Sequence, residues 1–293
     1  MSPRSVLHRV LVRRLDALEK HLEPALDGDV AAVHQARVAS RRLRELLPLL
    51  LTEPDDGRVG EGGRFARAVR GVTRLLGPVR ELDVTLGLLD ELDRAEPALA
   101  AGIDEVRTLV AAERETRRQR LQRELRGREA ARLVSRLRTL SQAEPPPPTQ
   151  WRARLAERTR GRSVGLHAAL DDTGVLYDPE RLHAVRIAAK KLRYALEVAG
   201  ETRAAATAAA VTRLKTLQDE LGHLHDLQVV SGFVTQVPPT AGRRAALEDL
   251  ATVLDTQCRA LHAGFLDERD ELAALAERVR ERVVPRIAHV GRG

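Results

Sequence analysis

Cysteine, aromatic residues and lysine are all scarce in this 293-residue chain, and each shortage removes a class of function. A single cysteine, Cys258, excludes an internal disulfide and any cluster of cysteine ligands, and it fits a reducing cytoplasm. No activating pair lies near it in a helical pattern, so a packed thiol is expected. Aromatics make up 2% of the chain and do not cluster: Phe65, Trp151, Tyr177, Tyr194, Phe233 and Phe265. That leaves no stacking platform of the kind single-strand nucleic-acid binders use. No run of about 18 apolar residues is present to span a membrane. Met1-Ser2-Pro3-Arg4 opens without the apolar region of a secretion signal. Glycine-rich phosphate loops, nucleophile elbows and kinase signatures are missing. The acids are scattered among bases at i,i+3 and i,i+4, as in helix-surface pairs, not gathered as magnesium ligands. These absences imply no catalytic residue, no metal site and no cofactor.

What the chain does have is arginine. Only Lys20, Lys190, Lys191 and Lys215 among its 49 basic residues are lysine. A formal charge of +7 and a pI near 10.3 favour a polyanionic partner. Charged residues at 31% and an interior built from Ala, Leu and Val point to packed helices, and no alternating strand pattern of useful length appears.

One pattern occurs twice. Val33-His34-Gln35-Ala36-Arg37-Val38-Ala39-Ser40-Arg41-Arg42-Leu43-Arg44 recurs as Leu182-His183-Ala184-Val185-Arg186-Ile187-Ala188-Ala189-Lys190-Lys191-Leu192-Arg193. At about 100° per residue, His34, Arg37, Arg41 and Arg44 fall on one helix face and span roughly 15 Å of axis. Ala36, Ala39, Leu43, Leu46, Leu47 and Leu50 form the opposing core stripe. In the second copy His183, Arg186, Lys190 and Arg193 make the basic stripe, while Arg42 and Lys191 sit off it on the other flank. Like charges at these spacings repel, by about 0.2–0.5 kcal/mol per pair, and neither stripe contains an acid. Two such stripes in register fit an anion clamp better than two solvated faces. Guanidinium forks bind phosphate oxygens bidentately, which suits closely spaced phosphates.

A second repeated segment follows each copy: Leu76-Gly77-Pro78-Val79-Arg80-Glu81-Leu82-Asp83-Val84 and Leu221-Gly222-His223-Leu224-His225-Asp226-Leu227-Gln228-Val229. The alignment pairs Arg80 with His225, Glu81 with Asp226, and Arg70 with Lys215, so Arg70, Arg80, Lys215 and His225 could extend the basic wall. Ordinary surface charge is the alternative. His34 and His183 are open between a structural role, anion contact and metal ligation. His223 and His225 diverge on a helix, and no His-Glu-x-x-His pattern supports a metal there. Nucleic acid is the rival partner, because phosphate contact needs no sequence readout. No base-reading motif is present.

The periodicity predicts helices over about 4–26, from Asp29 onward, 64–92 with a kink at Gly77-Pro78, 97–126, 128–141, 151–171, from Asp178-Pro179 onward, 202–235, 241–266 and 268–290. Residues 52–63 read as a loop. Pro145-Pro146-Pro147-Pro148 marks a stiff linker, 144–149, between a first repeat over 1–143 and a second over 150–293. The expected fold is all-α, two tandem four-helix bundles.

The double His-x-x-Arg-x-x-x-[Arg/Lys]-[Arg/Lys]-Leu-Arg motif with its Leu-Gly segments resembles the CHAD (conserved histidine α-helical domain) family, over about 4–288. The resemblance implies bundles related by internal pseudo-twofold symmetry around a central basic pore. It also implies binding of inorganic polyphosphate and association with polyphosphate granules in the cytoplasm. Carried over by position, the ligands are His34, Arg37, Arg41, Arg42 and Arg44, then His183, Arg186, Lys190, Lys191 and Arg193. Arg80 matches the family's basic position after Leu-Gly, whereas His225 stands where arginine is more usual and Glu81 where aspartate is. The Glu-x-Glu-x-Lys hallmark of the CYTH domain fused to many relatives is absent, so no triphosphatase activity is implied.

Overall fold

The structure, a computed structural model, describes residues 3–51, 61–125, 128–142, 146–238 and 243–289. All regular structure among them is helical: α1 (Pro3–Asp27), α2 (Val30–Leu50), α3 (Glu61–Ala95), α4 (Ala100–Leu125) after a short 3₁₀ turn, α5 (Arg128–Gln142), α6 (Pro148–Asp171), α7 (Pro179–Glu201), α8 (Ala208–Val234), α9 (Arg244–Arg278) and α10 (Val284–Ala288). The order repeats as four long helices, the short α5, and four long helices again.

Local signals set most boundaries. Asp29 caps α2, its Oδ1 accepting from Ala32 N at 2.6 Å. Asp178 caps α7 by accepting from Glu180 N and Arg181 N, with Pro179 at the first helical position. Gly28, at φ +98, makes the α1–α2 turn in the left-handed region that a side chain resists. Prolines are weaker punctuation than the sequence suggests. Pro24, Pro48 and Pro78 all lie inside helices, and α3 runs unbroken past Gly77-Pro78. The loop expected over 52–63 falls mostly outside the described residues, and Glu61 already belongs to α3. The proline linker falls partly outside them too; Pro148, within it, opens α6.

Two boundaries differ from expectation. Residues 202–207 form a turn, not the start of α8, because Arg203 at φ 55 reverses the chain and Thr207 Oγ1 donates to Leu196 O. At the other end α9 continues through Leu266-Asp267-Glu268, where no proline or glycine interrupts it. It changes character only at the π-helical turn Val279–Val283, after which Pro285 fits the first turn of α10.

The apolar interior gathers in three clusters. One joins α1, α2, the first half of α3, α5 and α10 around Trp151, which is fully buried on α6. Another lies within the second half, among α6, α7, α8 and α9. Between them, Leu82, Leu89 and Leu92 of α3 and Ile103 and Val106 of α4 pack with Leu227 and Val230 of α8 and Leu250 and Leu254 of α9. Each fully buried aliphatic side chain contributes about 1.5–3 kcal/mol, so this shared core ties the two repeats firmly together. The expectation of two tandem bundles thus meets a middle cluster built from both.

Candidate anion-binding seam

The stripe register follows from the caps and the core faces. With Ala36, Ala39, Leu43, Leu46 and Leu47 buried on α2, and Val185, Leu192, Ala195, Leu196 and Ala199 buried on α7, the bases between them are directed elsewhere. α2 and α7 pack against each other, and each also packs on the helix that follows it, α3 or α8. The two stripes therefore meet along a seam floored by α3 and α8.

Four basic side chains meet at its middle: Arg37 and Arg41 from α2, Arg186 and Lys190 from α7. Burial first, then the charges of Arg41, Arg186 and Arg37, push the Lys190 ammonium down to about 6. Burial and the charges of Arg41 and Arg186 bring Arg37 down to about 10, against partial relief from Tyr194 and Glu81. Arg186 is lowered by burial and by Arg41, with Asp226 and Glu81 opposing. A group of partly buried bases that depress one another is short of negative charge.

Arg37 reaches the seam over bare backbone. Its Nη1 donates to Thr73 O at 3.4 Å, and a Cβ on Gly77 would come within 2.8 Å of the same nitrogen. Thr73 Oγ1 lies 3.0 Å from Ser40 Oγ, both buried, which fixes α2 on α3 just beneath. Tyr194 supplies an aromatic surface, with the Arg41 and Arg193 guanidinium carbons 6.0 and 4.8 Å from its ring centroid.

The two ends differ. At one, partial burial, then the charges of Arg70 and Arg41, lower the Arg44 pKa. At the other, His34 is held below the ordinary imidazole range by burial and by Arg80, Arg37 and Arg41. His183 is lowered by burial and by His225, its ring centroid 5.1 Å away. Burial and the neighbouring bases thus favour the neutral form of His34 and His183. Two acids also lie here. Glu81 Oε1 is 3.6 Å from His225 Nε2, and that contact, with Arg37 and Arg186, holds the carboxyl below its usual range against burial. Burial raises Asp226, opposed by Arg186, His225 and His223.

The remaining candidates lie outside this group. Arg42 turns to the opposite flank, where its Nε is 3.5 Å from Glu197 Oε2 and its carbonyl accepts from Arg14. Arg193 lies along Tyr194 and directs Nε to Gln218 and Nη1 to Glu197. Lys191 and Lys215 are exposed on α7 and α8. The basic cluster of α4 is largely neutralised locally: Arg114 pairs with buried Asp83 at 2.6 Å, Arg117 with Glu113, Arg118 with Glu115 and Arg120 with Glu124.

Tyr194, Glu81, Asp226 and Gly77 belong to the seam, although the sequence offers no direct sign of it. Their hints are adjacency to Arg193 for Tyr194, the aligned pairings of Glu81 with Asp226 and Gly77 with Gly222, and the aspartate that the resemblance expects at Glu81. Among the described residues no group of three or more His, Cys, Asp or Glu side chains could hold a metal ion, and no helix is long and apolar enough to cross a membrane.

A family model for the CHAD domain matches residues 9–235. The crystal structure of the CHAD domain from the plant Ricinus communis is 21% identical, with 94% of this chain and 92% of that one covered at a TM-score of 0.61. PptA from Streptomyces chartreusis is 15% identical, with 91% and 99% covered at 0.68. At these identities the structural likeness speaks to the fold alone. No curated protein matches the chain.

Proposed function

The chain belongs to the CHAD domain family, and from that premise we propose that its basic seam binds inorganic polyphosphate without catalysis. The observation that carries the reading is the meeting of Arg37, Arg41, Arg186 and Lys190, where burial and neighbouring charges, Arg41's among them, lower Arg37, Arg186 and Lys190, with Glu81 and Asp226 as the acids beside them. A row of closely spaced anions would relieve that repulsion along its whole length. Each guanidinium would offer paired N–H donors to phosphate oxygens.

The two halves are read as related by a pseudo-twofold axis along the seam. In support, α2 packs on α7, α3 on α8 and α4 on α9, each element against its counterpart. The axis would make the seam a two-walled channel, or pore, suited to an extended symmetric polymer. Polyphosphate is favoured over nucleic acid because, among the described residues, Tyr194 is the one aromatic ring stacked by any of the four bases, through Arg41, which leaves nucleobases little to stack on. By the same reading the protein works in the cytoplasm, on polyphosphate granules, and uses no cofactor.

Competition separates the two polymers. Calorimetric titration with long-chain polyphosphate at physiological ionic strength, repeated with duplex DNA of matched charge present, is expected to give an affinity that DNA leaves nearly unchanged. Displacement by equal charge of DNA would instead make the protein a general polyanion binder.

A further inference from the structure

We propose a second anion subsite outside the seam, in the groove between α3 and α4, that takes up the part of a polyphosphate chain emerging past Arg44 and Arg70. The inference rests on the polyphosphate reading of the seam. The groove is lined by Arg74, Arg117 and Arg120, by Glu124, and by the apolar Leu75, Pro78 and Leu121. Arg70 and Arg74 are one turn apart on α3 and so are neighbours on its surface. Arg41, Arg44, Arg70 and Arg74 therefore form a continuous basic path from the seam to the groove, since Arg41 and Arg70 both act on Arg44.

The donors in the groove are only partly used. Arg120 engages Glu124 through Nε at 2.7 Å, which leaves its two Nη groups available. Arg117 spends Nε and Nη2 on Glu113. Arg74 is exposed on the groove wall. Arg74, Arg117 and Arg120 against Glu113 and Glu124 leave a surplus of one positive charge, and Leu75, Pro78 and Leu121 beneath lower the local dielectric and strengthen contact with phosphate.

The counterpart path in the second half is closed by charge. Lys215 aligns with Arg70, but Asp219 stands where Arg74 does, followed by Glu220. Burial, then Glu268 and Asp219, raise the Glu220 pKa; Arg213, paired with Glu268 at 2.7 Å, opposes them but leaves the carboxylates in excess. A chain leaving the seam past Arg44 meets a basic groove, whereas one leaving past Lys215 meets carboxylates. The exit is one-sided.

The test compares tripolyphosphate, which fits within the seam, with a long-chain polyphosphate, on the parent protein and on the double variant Arg74→Ala, Arg120→Ala. Both side chains are exposed, so the variant keeps its fold, which a thermal melt checks. The expected result is an affinity for the long chain lowered about tenfold, with a shallower salt dependence, and an affinity for tripolyphosphate unchanged. Equal affinity of variant and parent for the long chain, or an equal loss for both ligands, would overturn the subsite. Failure of the parent to bind either polyphosphate would overturn the reading of the seam itself, and this inference with it.

Discussion

The imidazole of His225 lies against the carboxylate of Glu81, Nε2 to Oε1 3.6 Å, and joins α8 to α3 across the seam. The same carboxylate feels the charges of Arg37 and Arg186. It therefore stands where a phosphate oxygen would stand, as an anion the protein carries itself. Entry of a polyanion has to overcome it. Glu81→Gln keeps the shape and removes the charge, so polyphosphate affinity is expected to rise about tenfold, the worth of one charge-assisted contact of about 1.4 kcal/mol. Titration calorimetry reads this directly, and an unchanged or weaker affinity would mean the ligand lies elsewhere.

Gly77 and Gly222 are aligned but differ in surroundings. A Cβ at Gly77 would meet Arg37 Nη1 at 2.8 Å, whereas one at Gly222 would meet nothing within 4 Å. Replacing a helical glycine by alanine stabilises by roughly 0.5–1 kcal/mol. Gly222→Ala is expected to raise the melting temperature and leave binding alone. Gly77→Ala is expected to hold or raise stability while displacing the Arg37 guanidinium and weakening polyphosphate binding several-fold. Identical behaviour of the two variants in binding would exclude Arg37 as a ligand.

Lys190 makes the seam sensitive to pH. Its ammonium is held at about 6 in the folded protein, far below the range of a free lysine, so between about pH 6 and 10 the unfolded chain binds the extra proton. Stability therefore rises with pH across that window and is penalised most fully below about 6. A bound phosphate would stabilise the ammonium, so binding is expected to take up a proton and affinity to fall as pH rises above about 6. Calorimetry in two buffers of different ionisation heat measures the uptake. Lys190→Met is expected to reduce it, and equal uptake by that variant would assign the proton to another group.

Much of this arrangement can be read from the chain before it folds. The caps Asp29 and Asp178, the core stripes of α2 and α7, and the basic stripes opposite them all follow from local spacing. What spacing does not carry is the partner of each charge. Arg41 and Arg42 are adjacent in sequence, yet one meets Tyr194 and the other Glu197, because one residue turns a helix by about 100° and tertiary packing decides what waits there. The acids of the seam are hidden for the same reason. Glu81 and Asp226 sit in segments that look like ordinary mixed-charge helix surface, and only the docking of α3 on α8 brings Glu81 to His225 and Asp226. The shared middle core is equally illegible, since Leu89 and Val230 fit any helix interface.

The central claim is that Arg37, Arg41, Arg186 and Lys190 act as one anion site whose mutual repulsion the free protein tolerates. Thermal melting with and without long-chain polyphosphate tests it most directly, on the parent and on a variant carrying Arg37→Gln, Arg41→Gln, Arg186→Gln and Lys190→Met. The account predicts that polyphosphate raises the melting temperature of the parent, by mass action on the folded state. It predicts that the variant melts a few degrees higher than the ligand-free parent, having shed its like charges, and does not respond to the polymer. A variant that is stabilised by polyphosphate as much as the parent would contradict it.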